Sequence, residues 1–178
     1  MIYLKKFEEL VTNNRNIDFT RISDDRYEFT TDDLTYVVDF TNAFINEYKS
    51  CWSRQYDIKG NKEIGYHQSN RNPYKIISTV TEITKDFLEE KDVEVLMILH
   101  VLMEREVCSI DKLNKRAKIN YQYLKSIDNY QLRYFNLPSS IHQNESVSTN
   151  CIMFKSGVDI SPIIEKWNKY RNHFEVVP

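Results

Sequence analysis

Hydrophobic and polar positions alternate in the first third of the chain, and this alternation predicts antiparallel strands. In RYEFT and LTYVVDFT, aromatic and β-branched side chains flank a Thr-Asp-Asp turn, which predicts a hairpin of residues 26–30 and 34–41. The alternation returns in CWSRQYDI, residues 51–58, and a glycine-containing turn then predicts a further strand over residues 62–68. We therefore expect a strand meander over residues 26–68.

Apolar stripes at helical spacing predict a helix on each side of this meander. MIYLKKFEEL predicts a short helix within residues 1–14. After the meander, Asn72 is a good N-cap, and Pro73 suits the first helical position because its missing N–H has no partner there. The stripe of this second helix comprises Ile76, Val80, Ile83 and Phe87.

Strand and helix signals alternate in the middle of the chain. VEVLMILHV, residues 93–101, is a nearly continuous hydrophobic run, which is typical of a central strand covered on both faces. Residues 109–127 carry apolar side chains on one side and predict a helix capped by the serine at its start. Residues 130–137 predict a strand ended by a proline. The segment 72–137 thus predicts a helix-strand-helix-strand unit.

The last forty residues begin with the most polar stretch of the chain. SSIHQNESVSTN, residues 139–150, predicts a mobile loop. A last strand is expected at residues 151–155 and a final helix from Ser161, so that 151–178 forms a C-terminal strand and helix. Strands followed by a βαβ-like unit predict a single α+β domain over residues 1–178, with a mixed, mostly antiparallel central sheet flanked by helices.

Composition and charge limit the classes of protein. The chain has 178 residues, of which 41% are hydrophobic, and this is enough for one domain with its own core. The net charge is −2, so we do not expect nucleic acid as the main partner, since neutralising many phosphates needs a concentrated basic face. The charged N-terminus and the short apolar runs predict neither a secretory signal nor a membrane span, and no membrane partner.

Candidate catalytic chemistry is sparse in this sequence. The three cysteines form no CxxC pair, and the four histidines fall in four different predicted elements, so we expect neither a disulfide framework nor a metal site. There is no G-x-S-x-G, no phosphate-binding P-loop and no dinucleotide fingerprint. We therefore expect no resident cofactor, and we assign no catalytic residue.

Residues 109–127 also allow an alternative, a helix-turn-helix. Its first helix would be residues 109–117, its turn 118–120 and its recognition helix 121–127. Positive charge would come from Lys112, Lys115, Arg116, Lys118 and Lys125. No glycine occupies the turn and the chain is slightly acidic, so a DNA-binding regulator is a lesser alternative.

A resemblance to a known family covers about residues 62–137. NPYKIISTVTEITKDFL, followed by VLMILH and SIDKLNKR, resembles a family of small, largely uncharacterised bacteriophage proteins. Those proteins typically contain G-x-G-N-A-F-x-V-F-S-T-V, then an apolar strand, then S-R-x-x-L-Y-x-R. Their arrangement is similar to the second half of the GNAT N-acetyltransferase fold. The resemblance thus implies a GNAT-like topology.

The turn before residue 73 is where this sequence departs from the acetyltransferases. In that fold a Q/R-x-x-G-x-G/A turn and the following helix N-terminus hold the pyrophosphate of acetyl-CoA. Here Arg71 and Pro73 stand where the glycines would be, so the resemblance implies weak or absent acetyl-CoA binding. Gln68, Arg71 and Asn72 are the residues that a remaining anion site would use. Asn114 replaces the tyrosine of the phage pattern.

We therefore expect a non-enzymatic protein of phage origin, located in the host cytoplasm or the virion. Its partners would be other proteins, including phage structural proteins, and it would be a capsid, connector or packaged component; whether it also self-associates stays open. The main alternative is a divergent GNAT-like acyltransferase that uses acetyl-CoA. Exposed aromatic residues would anchor a protein partner; the candidates are Trp52, Tyr56, Tyr134, Trp167 and Tyr170.

Overall fold

One open β-sheet and three helices make up the described part of the chain. The computed structural model describes residues 17–31, 34–60, 73–101, 108–140, 142 and 144–178. The strands are β1 Phe19–Ser23, β2 Arg26–Thr31, β3 Leu34–Asn42, β4 Cys51–Ile58, β5 Val95–Val101, β6 Cys108–Ser109, β7 Tyr130–Pro138, β8 Glu145–Lys155 and β9 Phe174–Val176. The helices are α1 Pro73–Lys91, α2 Lys115–Leu124 and α3 Ser161–Asn168. The helix expected within residues 1–14 and the strand expected at 62–68 lie outside the described residues.

The strand order is β1-β2-β3-β4-β5-β8-β7-β9, with β6 paired to β8. Neighbouring strands run antiparallel, except for β4 and β5, which are parallel. A parallel pair needs a crossover connection, and α1 lies on the chain between these two strands. The expected single mixed domain with a mostly antiparallel sheet is confirmed.

Most elements with a clear hydrophobic period form where the sequence predicts them. The hairpin of β2 and β3 pairs Tyr27 with Val38 and Phe29 with Tyr36, so its alternating apolar residues lie on one face. β4 has the predicted bounds, and β5, β7, α1 and α3 fall on their predicted segments. Within the described residues, no helix has both the length and the apolar character needed to cross a membrane.

The helix predicted over residues 109–127 is shorter than expected. It begins at Lys115 and ends at Leu124, and Asn114, not Ser109, is its N-cap: the Asn114 side chain accepts a hydrogen bond from the Ala117 amide. Residues 118–120, the expected turn of a helix-turn-helix, lie inside this one helix. The helix-turn-helix prediction is therefore wrong, and the DNA-binding alternative loses its structural basis.

The loop predicted over residues 139–150 is also shorter. Strand β8 begins at Glu145, so half of the polar stretch belongs to the sheet, where it pairs with β5, β6 and β7. Two of its buried polar side chains have partners: Thr149 donates to Asn136 Oδ1 at 2.6 Å, and Ser146 donates to the Ser148 carbonyl at 2.8 Å. Those hydrogen bonds make a polar strand stable inside the sheet.

Apolar clusters cover both faces of the sheet. The larger cluster joins one face to α1 and α2, and the smaller joins the other face to α3. In the larger cluster, Phe87 of α1 stacks on Phe40 of β3 with ring centroids 3.7 Å apart. The parallel strands β4 and β5 lie between the two clusters, at the centre of the molecule.

Candidate functional site

The parallel strands β4 and β5 separate part of the way along the sheet. They pair from Cys51 with Val95 to Arg54 with Ile98. Beyond these residues each strand keeps its outer neighbour: β4 pairs with β3 as far as Ile58, and β5 pairs with β8 as far as Val101. The inner edges of residues 55–58 and 99–101 therefore have no strand partner among the described residues. We call this opening the strand fork.

A cleft of about 530 Å³ occupies the strand fork. Because side chains of a strand alternate between faces, the cleft is lined from both faces of the sheet. The lining residues are Asp39, Ser53, Arg54, Gln55, Tyr56, Asp57, Met97, Ile98, Leu99, His100, Arg116, Asn120, Asn150 and Trp167. This volume suits a small ligand or one arm of a larger one.

Arg54 lies at the apex of the fork, where the two strands part. Its side chain points toward the helices and is only 3% exposed. Nη1 donates to Thr84 Oγ1 of α1 at 2.9 Å, and Nη2 donates to Asn120 Oδ1 of α2 at 3.4 Å. Nε has no partner among the described residues. Burial lowers the pKa of Arg54, yet arginine stays charged in proteins, so a buried cation faces the cleft.

His100 of β5 and Arg116 of α2 line the same side of the cleft. His100 is 5% exposed, and its Nε2 atom has no partner in the described part of the chain. Burial first, and then the charges of Arg54 and Arg116, lower the pKa of His100 to about 3. His100 is therefore neutral at physiological pH and a weak base. This side of the cleft combines two cations with an uncharged imidazole.

A buried hydrogen-bond network sets the position of α2 against the sheet. Asn114, at the start of α2, donates to the His100 carbonyl and to Thr149 Oγ1, both at 3.1 Å. Thr149 bonds Asn136, which in turn donates to the carbonyls of Ile110 and Lys112 at 2.8 Å. The network thus ties β5, β7 and β8 to the helix that carries Arg116 and Asn120.

The opposite side of the cleft carries carboxylates. Asp39 of β3 and Asp57 of β4 line it together with Trp167 of α3. Asp39 forms an ion pair with Arg26 at 3.6 Å, and burial raises the pKa of Asp39. The cleft therefore has a cationic side toward α1 and α2 and an acidic side toward α3.

The structure separates the residues that the sequence grouped as sites. Gln68, Arg71 and Asn72 lie outside the described residues, so their anion site stays a prediction. Tyr134 is fully buried, which corrects its assignment to an exposed interface, and Trp52 packs edge-on against Phe87. The remaining candidates differ: Tyr56 and Trp167 are partly buried and line the cleft, whereas Tyr170 is 87% exposed.

Sequence reasoning missed Arg54 and His100, although a signal for both was present. In CWSRQYDI the buried face takes Trp52, Arg54, Tyr56 and Ile58, so the arginine shares a period with apolar side chains. In the apolar run of β5, His100 shares a period with the buried Leu96 and Ile98. A charged or titratable residue on the apolar period of a central strand marks a candidate site.

The low pKa of His100 predicts a specific loss of stability in acid. In the unfolded chain a histidine takes up a proton near pH 6.5, whereas folded His100 does so only near pH 3, so stability is lost as the pH falls below 6.5. We expect the free energy of unfolding to fall by about 2 kcal/mol more between pH 7 and pH 5 in the native chain than in His100→Gln. Urea denaturation at both pH values measures this difference. The same replacement at exposed His142 is the control; equal pH dependence in native chain and His100→Gln contradicts a buried neutral imidazole.

The fold and its fork define a class, an open mixed α/β sheet with a ligand-sized opening between two parallel strands. No protein-family model, curated protein or solved structure matches the chain. Within the described residues, no group of three or more His, Cys, Asp and Glu side chains is placed to hold a metal ion.

Proposed function

We propose that this protein is a divergent GNAT-like acyltransferase that binds an acyl-CoA thioester in the strand fork. The single observation that carries the proposal is the separation of β4 and β5 beyond Arg54 and Ile98. The order β4-α1-β5-β6-α2-β7-β8 also supports it, because apart from the two-residue strand β6 it follows the helix-strand-helix-strand unit on which the resemblance to the acetyltransferase fold rests.

The inner edges of the fork favour an extended ligand that carries amides. Strand edges offer backbone N–H and C=O groups at regular intervals, and an extended chain with its own amides can pair with them as an added strand does. The pantetheine arm of coenzyme A is such a chain, since it carries two amides between the nucleotide and the sulfur. From Ile58 to Arg54 the open edge of β4 spans four residues, about 13 Å. An arm that enters at residue 58 thus brings its acyl group to the apex.

The acidic side of the cleft provides a place for an amine acceptor. Asp39 and Asp57 face the cleft from the side opposite to Arg54, and carboxylates attract a protonated amine. In acyl transfer the ammonium group first loses one proton to solvent, and the neutral nitrogen then attacks the thioester carbonyl. The C–S bond breaks, and the second proton passes from the nitrogen to the thiolate. His100 is too weak a base to take up either proton at neutral pH. We assign no catalytic residue.

Thermal unfolding with added ligands tests the proposal. At a hundredfold excess over Kd, acetyl-CoA or CoA should stabilise the protein by about 2.7 kcal/mol and raise Tm by about 5–10 °C. Adenosine 3′,5′-bisphosphate, which has the nucleotide but no pantetheine arm, should give little shift. Ser53 lines the cleft next to the apex, so Ser53→Phe reduces the volume of the cleft and should abolish the shift, whereas Ser156→Phe in an exposed turn should retain it.

The absence of a ligand-induced shift in Tm would instead favour the function that was expected from the sequence. If neither CoA nor its thioesters change Tm, the fork does not bind this arm. The non-enzymatic, protein-binding role in a phage particle, which stays a prediction, would then be the better hypothesis.

A further inference from the structure

Arg54 is a buried cation without a counter-ion in the described part of the chain. None of the ion pairs between described residues includes Arg54 or Arg116. Moving a charge out of water is expensive unless an opposite charge compensates for it. The guanidinium of Arg54 is 3% exposed and therefore has, among the described residues, no carboxylate that would make its burial favourable.

The neutral partners of Arg54 orient it without neutralising it. Thr84 Oγ1 accepts from Nη1 while its own proton goes to the Val80 carbonyl at 2.6 Å. Asn120 Oδ1 accepts from Nη2 while its amide group donates to the Arg116 carbonyl at 3.1 Å. Both side chains are thus fixed by their own helices. They hold the guanidinium at the apex of the fork, and within the described ranges Nε has no hydrogen-bond partner.

Two neighbours of Arg54 on the same side of the cleft contribute a second positive charge and a further ring nitrogen. Arg116 supplies a second guanidinium, and His100 has a buried Nε2 atom without a partner among the described residues. A wall of this kind has several hydrogen-bond donors and no negative charge. Its complement is an anion with at least two acceptor oxygens, because a guanidinium binds such groups with two parallel hydrogen bonds.

We propose that Arg54 binds a ligand carboxylate at the apex of the strand fork, so that the acyl groups accepted here end in a carboxylate. That this carboxylate belongs to an acyl-CoA thioester rests on the proposed function. That the ligand carries a carboxylate is inferred from Arg54 alone. A pantetheine arm that enters at the carboxyl ends of β4 and β5 places the end of its acyl group beside Arg54. In a dicarboxylic acyl group, this end is the free carboxylate. The substrate class is therefore acyl-CoA with a short dicarboxylic acyl chain, such as succinyl-CoA.

A matched pair of thioesters tests the inference. Succinyl-CoA and butyryl-CoA have acyl chains of the same four carbons and differ in the terminal carboxylate. Isothermal titration of the full chain should give a Kd for succinyl-CoA about ten- to a hundredfold lower than that for butyryl-CoA. Free succinate, titrated alone, should bind weakly at the same site and compete with succinyl-CoA.

Two variants assign the preference to Arg54. Arg54→Met removes the cation and should bring the two Kd values within about threefold of each other. Asn120→Asp places a carboxylate where Asn120 Oδ1 now accepts a hydrogen bond from Arg54. This carboxylate should pair with Arg54 within the protein and so reduce the preference for succinyl-CoA over butyryl-CoA. Arg133→Met makes the same replacement at a surface ion pair with Glu175 and should keep the preference. If Arg54→Met does not fold, Asn120→Asp still tests the inference.

The outcomes separate this inference from the proposed function. Equal affinity for both thioesters in the native chain overturns the carboxylate site and leaves the CoA site standing. Succinate binding that is lost in Arg54→Met, without any thioester binding, supports the carboxylate site and overturns the proposed function. No binding of thioesters or succinate overturns both.

Discussion

Phe87→Ala is expected to lower the free energy of unfolding by about 3–5 kcal/mol. Phe87 is completely buried in α1, stacks on Phe40 at 3.7 Å and meets Trp52 edge-on at 5.1 Å. The three rings join α1 to β3 and β4. Removing the middle ring leaves a cavity that its neighbours, fixed on two strands and a helix, cannot fill completely. Urea denaturation of the native chain and the variant measures the loss.

Phe44→Ala is the matched control, since Phe44 is 83% exposed. It makes the same chemical change and should alter the free energy of unfolding by less than about 0.5 kcal/mol. If Phe87→Ala were as mild as Phe44→Ala, α1 could not pack on the sheet as described. The crossover helix α1 would then not cover the parallel pair of β4 and β5 in the way described, and the described strand fork would lose its support.

Asn114→Ala is expected to lower the free energy of unfolding by about 2–4 kcal/mol. The variant loses the N-cap of α2, which alone contributes about 0.5–2 kcal/mol. It also leaves the buried Ala117 amide without an acceptor and removes the donor to the His100 carbonyl, and an unsatisfied buried group costs about 1–3 kcal/mol. Because α2 carries Arg116 and Asn120, the change should also weaken binding of a ligand in the fork.

Asn114→Ser separates the cap from the network. Serine can cap the helix but is too short to reach the His100 carbonyl and Thr149, so we expect about half of the loss. Asn172→Ala, at an exposed position, is the control and should change the stability little. If Asn114→Ala and Asn172→Ala gave equal stabilities in thermal or urea unfolding, the buried network would not hold α2.

The local hydrophobic period was sufficient to predict those helices and strands whose apolar face packs in a hydrophobic core. The β2–β3 hairpin, β4 and α1 show a two-residue or helical period in the sequence, and the structure buries the faces that this period selects. Strand β5 was predicted from its nearly continuous hydrophobic run. The mixed, mostly antiparallel sheet follows from their order. The short edge strands β1 and β9 lack such a period, because few of their side chains are buried, and they were not predicted.

The prediction failed where partners distant in sequence decide the structure. Ile110 and Leu113 continue the apolar period of α2 backwards, so the sequence extended the helix to residue 109. The actual start is set by Asn114, which bonds His100 and Thr149. Likewise, the polar residues of early β8 looked like a loop because their hydrogen-bond partners on β7 are not visible in local sequence.

The residues of the strand fork were not predicted from the sequence, for a related reason. The sequence predicted an anion site at Gln68, Arg71 and Asn72, which lie outside the described residues, and it gave no prediction for the opening between β4 and β5. A fork arises when two paired strands stop pairing, and this depends on their outer neighbours β3 and β8. Arg54 could have been noticed on the apolar period of β4, but that no described carboxylate pairs with it is visible only in the fold.

Backbone amide NMR during a titration with CoA tests most directly the claim that the strand fork is the ligand site. We expect the largest chemical-shift changes to fall on residues 54–58 of β4 and 98–101 of β5, and to saturate together. Amides of β1 and β9, at the two ends of the sheet, should change little. Saturable shifts that spare β4 and β5 and cluster elsewhere, or no shifts at all, would contradict it.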